Sequence, residues 1–190
     1  MPAPGDLLDL LEYRMRAVDI GHLALRYAMR WESAPSMKIY FGEIQVMEGR
    51  ATGFTNGAIE SAILHCRALL EFLGLGMGTS ATKLRELVGD RREDDHGIEQ
   101  IGGLKKVSIA EALCAYPGPQ DEAEASLAYV VYLANKGLAH TSKSFSKHDH
   151  GARLLEIAFR GVPVLIANKV YIRLGLKPPA YQVQGRKRVA

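Results

Sequence analysis

The chain has 190 residues, 47% hydrophobic and 24% charged, the profile of a soluble globular protein rather than a disordered chain, with length enough for one domain and a sizeable core. Its formal net charge of +3 permits contact with nucleic acid without demanding it, and much of the excess sits in the terminal Arg186, Lys187 and Arg188. The two cysteines, Cys66 and Cys114, are too few for a disulfide framework and lack metal-like spacing, so both read as reduced and buried in helical patterns.

Segment 6–31 reads as a long helix. Leu7, Leu8, Leu11, Met15, Val18, Leu23 and Leu25 recur near helical spacing, with Asp6 as an N-cap and Pro35 closing the segment downstream. Residues 37–48 form a shorter element in which Ile39, Phe41 and Ile44 favour a helix. Turn formers at 49–57 precede a second helix over 55–73, capped by Thr55 or Asn56. Its apolar residues cover most of its circumference, which makes it central.

Residues 74–107 carry repeated glycines and a charge run from Asp90 to Asp95. They read as an insertion between core helices, with one short helix near 83–88 and a solvated charged face. Ser108 and Glu111 form a capping-box pattern that opens a short helix. Helix 121–140 has an acidic first turn and carries Lys136 and His140 in its last, both matched to the helix dipole. A last long helix over 151–175 should bend or break at Gly161 and Pro163, before a tail at 176–190. No strand alternation competes. The expectation is a single all-α domain over 1–190, a bundle of four to five long helices with one irregular insertion.

No basic segment precedes an apolar one at the N-terminus, and no apolar run approaches the roughly 20 residues a bilayer requires. The expectation is a cytoplasmic chain with no membrane contact.

With successive helical residues about 100° apart, Tyr129, Leu133, Lys136 and His140 share one stripe and Asn135 points away from it. Tyr, Lys and His together suit a phosphate or carboxylate, and His is the natural acid or base near neutral pH. The same Lys and His also satisfy a helix C-terminus without any ligand. On helix 55–73, Glu60, Arg67 and Glu71 share a stripe, while Ser61 and His65 lie on another side. Arg67 therefore either pairs with Glu71 or Glu60 or lines a polar cavity.

His148 and His150 form a His-x-His pair with no identifiable third ligand, and Asp94, Asp95 and His96 belong to a mixed charge run, so no metal is expected. The glycines of 74–80 follow a helix and not a strand, which removes the dinucleotide-loop reading. No Walker loop, nucleophile elbow or His-Glu-x-x-His motif occurs, and no cofactor is expected.

Two pieces together, "AIESAILHCRALLEFL" and "LANKGLAHTS", resemble helical bacterial proteins of the HEPN-like type. In that superfamily a helical bundle usually dimerises, and active members are metal-independent ribonucleases, often in toxin–antitoxin or phage-defence systems. The motif is an Arg, a polar residue commonly next, and a His about four to six residues on. Here His140 matches the histidine, Asn135 stands at the usual arginine position and Lys136 at the polar one.

The resemblance implies RNA cleavage with His140, Lys136 and Arg67 as catalytic residues and Asn135, Tyr129 and His65 contacting substrate in a homodimer. Lys136 is a point donor and not a planar fork, so the departure at Asn135 equally suits a non-catalytic module that binds a partner protein or a nucleotide. A structural reading, in which Lys136 and His140 only cap a helix, stands beside both. Metal chemistry at His148 and His150 is the remaining alternative.

Overall fold

Helix α1 (Pro4–Ala28) buries Leu7, Leu11, Met15, Val18 and Leu25, none more than 6% exposed, at helical steps along one face. The structure, a computed structural model, describes residues 4–92, 95–137 and 149–180. Asp6 lies inside the first turn of α1 and not at its cap, where the dipole still favours a carboxylate.

Between α1 and the next helix the chain forms an antiparallel hairpin, β1 (Ser36–Phe41) and β2 (Ile44–Arg50), in place of the helix expected over 37–48. The apolar residues there fit either period. The turn decides the matter: Gly42, at φ +62°, takes the first of the two turn positions between Phe41 and Ile44, as tight hairpins prefer.

Helix α2 (Thr52–Leu73) is the central element. Ile63, Leu69, Leu70 and Leu73 are at most 1% exposed, each contributing roughly 1.5–3 kcal/mol by burial. Its N-cap is Ala51 with no side-chain cap, so Thr55 and Asn56 lie within the helix and Thr55 is buried. It ends at Gly74, whose φ of +92° directs its N–H back to the Glu71 carbonyl at 3.0 Å.

The expected insertion is ordered against this helix end. Strands β3 (Leu75–Met77) and β4 (Leu84–Glu86) pair antiparallel, replacing the short helix expected near 83–88. Glu124 fastens β4 by accepting from Leu84 N–H at 3.1 Å and from Lys83 Nζ at 2.8 Å. The charge run is not simply a solvated face either. The Arg91 side chain is 15% exposed, donates to the Glu71 and Phe72 carbonyls at 3.0 Å each, and pairs with Glu99 at 2.7 Å.

The capping box at Ser108 and Glu111 forms as read: Glu111 N–H reaches Ser108 Oγ at 3.3 Å and Ser108 N–H reaches Glu111 Oε2 at 3.1 Å. It opens α3 (Ile109–Leu113). Cys66 is buried, but Cys114, just past α3, is exposed, because α3 is too short to turn that position inward.

Helix α4 (Gln120–Tyr132) passes into a π-helical turn at Leu133–Gly137, so the α-helix expected over 121–140 ends at Tyr132. Helix α5 (Asp149–Ile166) runs through Gly161 and Pro163 without ending there, and a π-helical turn at Ala167–Tyr171 follows. The Tyr171 hydroxyl donates to the Leu8 carbonyl at 3.2 Å and returns the chain to α1.

The described residues are thus mostly helical, with one apolar core shared by α1, α2, α4 and α5, and two small hairpins that the all-α expectation lacked. Among them no helix is long and apolar enough to cross a membrane.

Helices α1 and α2 meet at Gly21. A Cβ there would collide with the Ala62 side chain and stand 2.7 Å from the Ala58 carbonyl oxygen, whereas one on Gly57 would meet nothing within 4 Å. Gly21→Ala is expected to lower stability by about 1–3 kcal/mol despite its better helix propensity. Gly57→Ala is expected to raise it by about 0.5–1 kcal/mol. Urea denaturation of both variants measures this; a stabilised Gly21→Ala protein would contradict the close crossing.

Candidate functional site

A cleft of about 530 Å³ opens where the end of α2, the β3–β4 hairpin and the π-helical end of α4 converge. Glu71 lines it from α2, Lys83 and Arg85 from the hairpin, and Asn135 from the π-helical turn. Asn135 is a wall residue together with Val131, four residues before it, while Tyr129, Leu133 and Lys136, from whose stripe Asn135 points away, are not.

One turn before Glu71, Arg67 donates Nε–H to Glu71 Oε1 at 2.9 Å, the ion pair its spacing allowed. Both side chains are more than a third exposed, so the pair orients the groups more than it stabilises the fold. Only Nε is engaged, and among the described residues the two Nη groups have no hydrogen-bond partner. The bond to Glu124 raises the Lys83 pKa and keeps that ammonium charged. The hairpin needs its glycine at 78, where a Cβ would press on the Leu84 carbonyl oxygen at 2.9 Å.

The other expected site residues scatter. His65 lies on the α1–α2 seam and not in the cleft wall. Arg14 Nη1 is 3.2 Å from its Nδ1, and Tyr13 packs edge-on at 5.3 Å between ring centroids. A guanidinium can only donate, so Nδ1 is the acceptor and the ring is neutral. Burial, with Arg14 adding to it, lowers the His65 pKa in agreement.

Tyr129 stacks on Tyr132 at 6.4 Å. Lys136 is exposed on the π-helical turn beside Asn135. His140 lies outside the described residues, as do His148, Asp94 and the tail from 181, and the His150 side chain is likewise outside the description. Among the described residues no group of three or more His, Cys, Asp or Glu is placed to hold a metal.

A second cavity, of about 570 Å³, was not foreseen. Asp19, His22 and Arg26 of α1 line it, with Tyr116 beyond α3 and Arg160 on α5. Its signal was legible as three polar residues at i, i+3 and i+7 inside an apolar helix. His22 falls on the buried stripe between Val18 and Leu25. Burial pushes the Asp19 carboxyl up to about 6. It lowers His22, where Glu156 opposes the effect and Arg26 and Arg160 add to it. Tyr116 donates to Glu122 Oε2 at 2.7 Å, a bond that raises the phenol's pKa.

No protein-family model, curated protein or solved structure matches this chain.

The folded chain keeps the Asp19 proton up to about pH 6, while the unfolded chain loses it near 3.8. The stability this group contributes is therefore full below the lower value and is lost as pH rises through the upper one. Asp19→Asn should stabilise the protein by about 1–3 kcal/mol at pH 8, a gain that fades as pH falls toward 4. The depressed His22 and His65 act oppositely, their contribution present above the ordinary 6.5 and lost as pH falls below it. Urea melts of wild type and variant at three pH values test this; a pH-independent difference would show that burial of the Asp19 charge costs nothing.

Proposed function

We propose that this chain is a HEPN-like protein that acts on RNA as a metal-independent endoribonuclease, working from the cleft beside Asn135. One observation carries the reading: Asn135, which opens the Asn-Lys-x-x-x-His motif, shares a cleft wall with Glu71, the partner of Arg67, and with two cations, Lys83 and Arg85. The two segments that carry the resemblance thus border one polar opening of about 530 Å³.

In this reading Lys83 and Arg85 draw in the phosphate backbone. His140 takes the proton of a ribose 2′-hydroxyl, whose oxygen bonds to the adjacent phosphorus. The bond to the 5′-oxygen breaks, and that oxygen takes a proton from the same histidine of a second copy. Lys136 and the terminal amino groups of Arg67 balance the charge gathering on the phosphoryl oxygens. The products are a 2′,3′-cyclic phosphate and a free 5′-hydroxyl. Tyr129 and His65, which the cleft wall does not include, drop from the substrate contacts in this reading.

A surface that could hold a second copy lies at the other end of α2, roughly 30 Å along the helix from the cleft, so a dimer formed there is a separate expectation from the pairing of the two histidines. The β1–β2 hairpin exposes Phe41 to 72% and Ile44 to 71%, with Tyr40, Val46 and Met47 also exposed. A two-stranded ribbon with so little cover gains stability from a partner, and an apolar patch on this scale is uncommon on a monomer. Phe41→Glu/Ile44→Glu is expected to turn a dimer into a monomer in light scattering; a wild-type protein already monomeric at working concentration would remove the dimer.

Purified protein should cleave end-labelled mixed RNA in EDTA, and His140→Ala should lose at least about 100-fold in rate. Arg85→Gln should weaken RNA binding about two- to five-fold and reduce the slope of log affinity against log salt by about one. Cleavage retained in His140→Ala overturns the assignment of that histidine. RNA binding without cleavage in the wild type selects the non-catalytic module instead. Neither binding nor cleavage overturns the RNA reading.

A further inference from the structure

We propose that the second cavity, between α1, the α3–α4 region and α5, binds a small anionic amphiphile, its carboxylate or phosphate held between Arg26 and Arg160 and its apolar body inside. The cavity is separate from the Asn135 cleft and shares no lining residue with it. Its volume of about 570 Å³ lies within the range of small-molecule sites. Leu127, Phe159 and Leu165, each at most 5% exposed, furnish an apolar lining for an aromatic or aliphatic body.

Charge fixes which end of the ligand meets the mouth. Arg26 and Arg160 come from different helices, both are exposed, and both act electrostatically on His22 between them. Among the described residues neither forms an ion pair. Glu156, one turn before Arg160, also acts on His22, and the paired Glu122 and Arg153 stand at Tyr116, so the mouth carries three cations against two carboxylates. Two guanidiniums lining one opening suit an oxyanion, which can accept paired N–H bonds from a guanidinium.

At the other end, Asp19 lies seven residues before Arg26 on the same helix, roughly 10 Å along its axis. Asp19, 6% exposed, already has a partner within the fold, and its carboxyl makes that end of the cavity unfavourable for the ligand's anionic group. The site therefore selects an amphiphile with its anionic end at Arg26 and Arg160 and away from Asp19.

The probes are 6-hydroxy-2-naphthoate, its neutral amide, and 6-hydroxy-2-naphthylmethylammonium, titrated calorimetrically into the full chain. The acid should bind at least about tenfold tighter than the amide, the scale of one charge-assisted contact. Arg26→Gln/Arg160→Gln, both changes at exposed positions, should abolish that preference, weakening the acid at least about tenfold more than the amide. Ala115→Phe, at the exposed rim of the cavity, should weaken acid and amide alike. The proposal is overturned if acid and amide bind equally to wild type, if the preference survives in the double variant, if the ammonium compound binds tightest, or if no probe gives heat at millimolar concentration.

Discussion

Helices α1 and α2 cross at a distance that only a hydrogen side chain allows. Gly21 makes the crossing, with Ala58 and Ala62 opposite, and no larger residue fits without moving backbone. Everything on the two helices is placed by this contact. It seals Val18 and Leu25 against Ala62 and Ile63, and it packs His65 of α2 against Tyr13 and Arg14 of α1. It also fixes the rotation of α1 about its axis, which turns the Asp19, His22 and Arg26 stripe toward α5 and away from α2. Close packing at native density leaves few other rotations open to a helix with so continuous an apolar face.

The two cavities divide the chemistry of the molecule. The cleft at the end of α2 is open and built from charged tips on a hairpin, with its carboxylates engaged by Arg67 and Lys83. The cavity on α1 is apolar inside and polar along one edge, and its titratable groups are shifted chiefly by burial.

The helices were legible because their apolar periodicity is long. Leu7 through Leu25, and Ala62 through Leu73, give several turns of agreement, and the Ser108–Glu111 box announces itself in two letters. The hairpins were not, for reasons of length and signal. Between Ser36 and Arg50 the apolar residues Ile39, Phe41 and Ile44 fit both periods, and a single glycine at the turn settled the outcome. β3 and β4 are three residues each, below what alternation can reveal.

The site was legible in part. Arg67 with Glu71 followed from spacing, but the cleft beside Asn135 did not, because its other wall is the β3–β4 hairpin, whose strands are too short to announce themselves. The stripe at 19, 22 and 26 has helical spacing and was overlooked because the same helix reads so strongly as core.

Arg91 has an electrostatic consequence for the cleft. A helix of this length presents about half a negative charge at its C-terminal end, and an end so charged repels phosphate. Here the Arg91 guanidinium covers the Glu71 and Phe72 carbonyls, and the Arg91, Glu99 and Lys106 cluster carries two cations against one carboxylate. The negative pole of α2 is matched from within the fold. Of the charged residues that line the cleft, Glu71 is paired with Arg67 and Lys83 with Glu124, which leaves Arg85 to set the field there. A segment that reads in the sequence as a solvated charge run thus acts as the counter-charge of a helix C-terminus at the edge of the cleft.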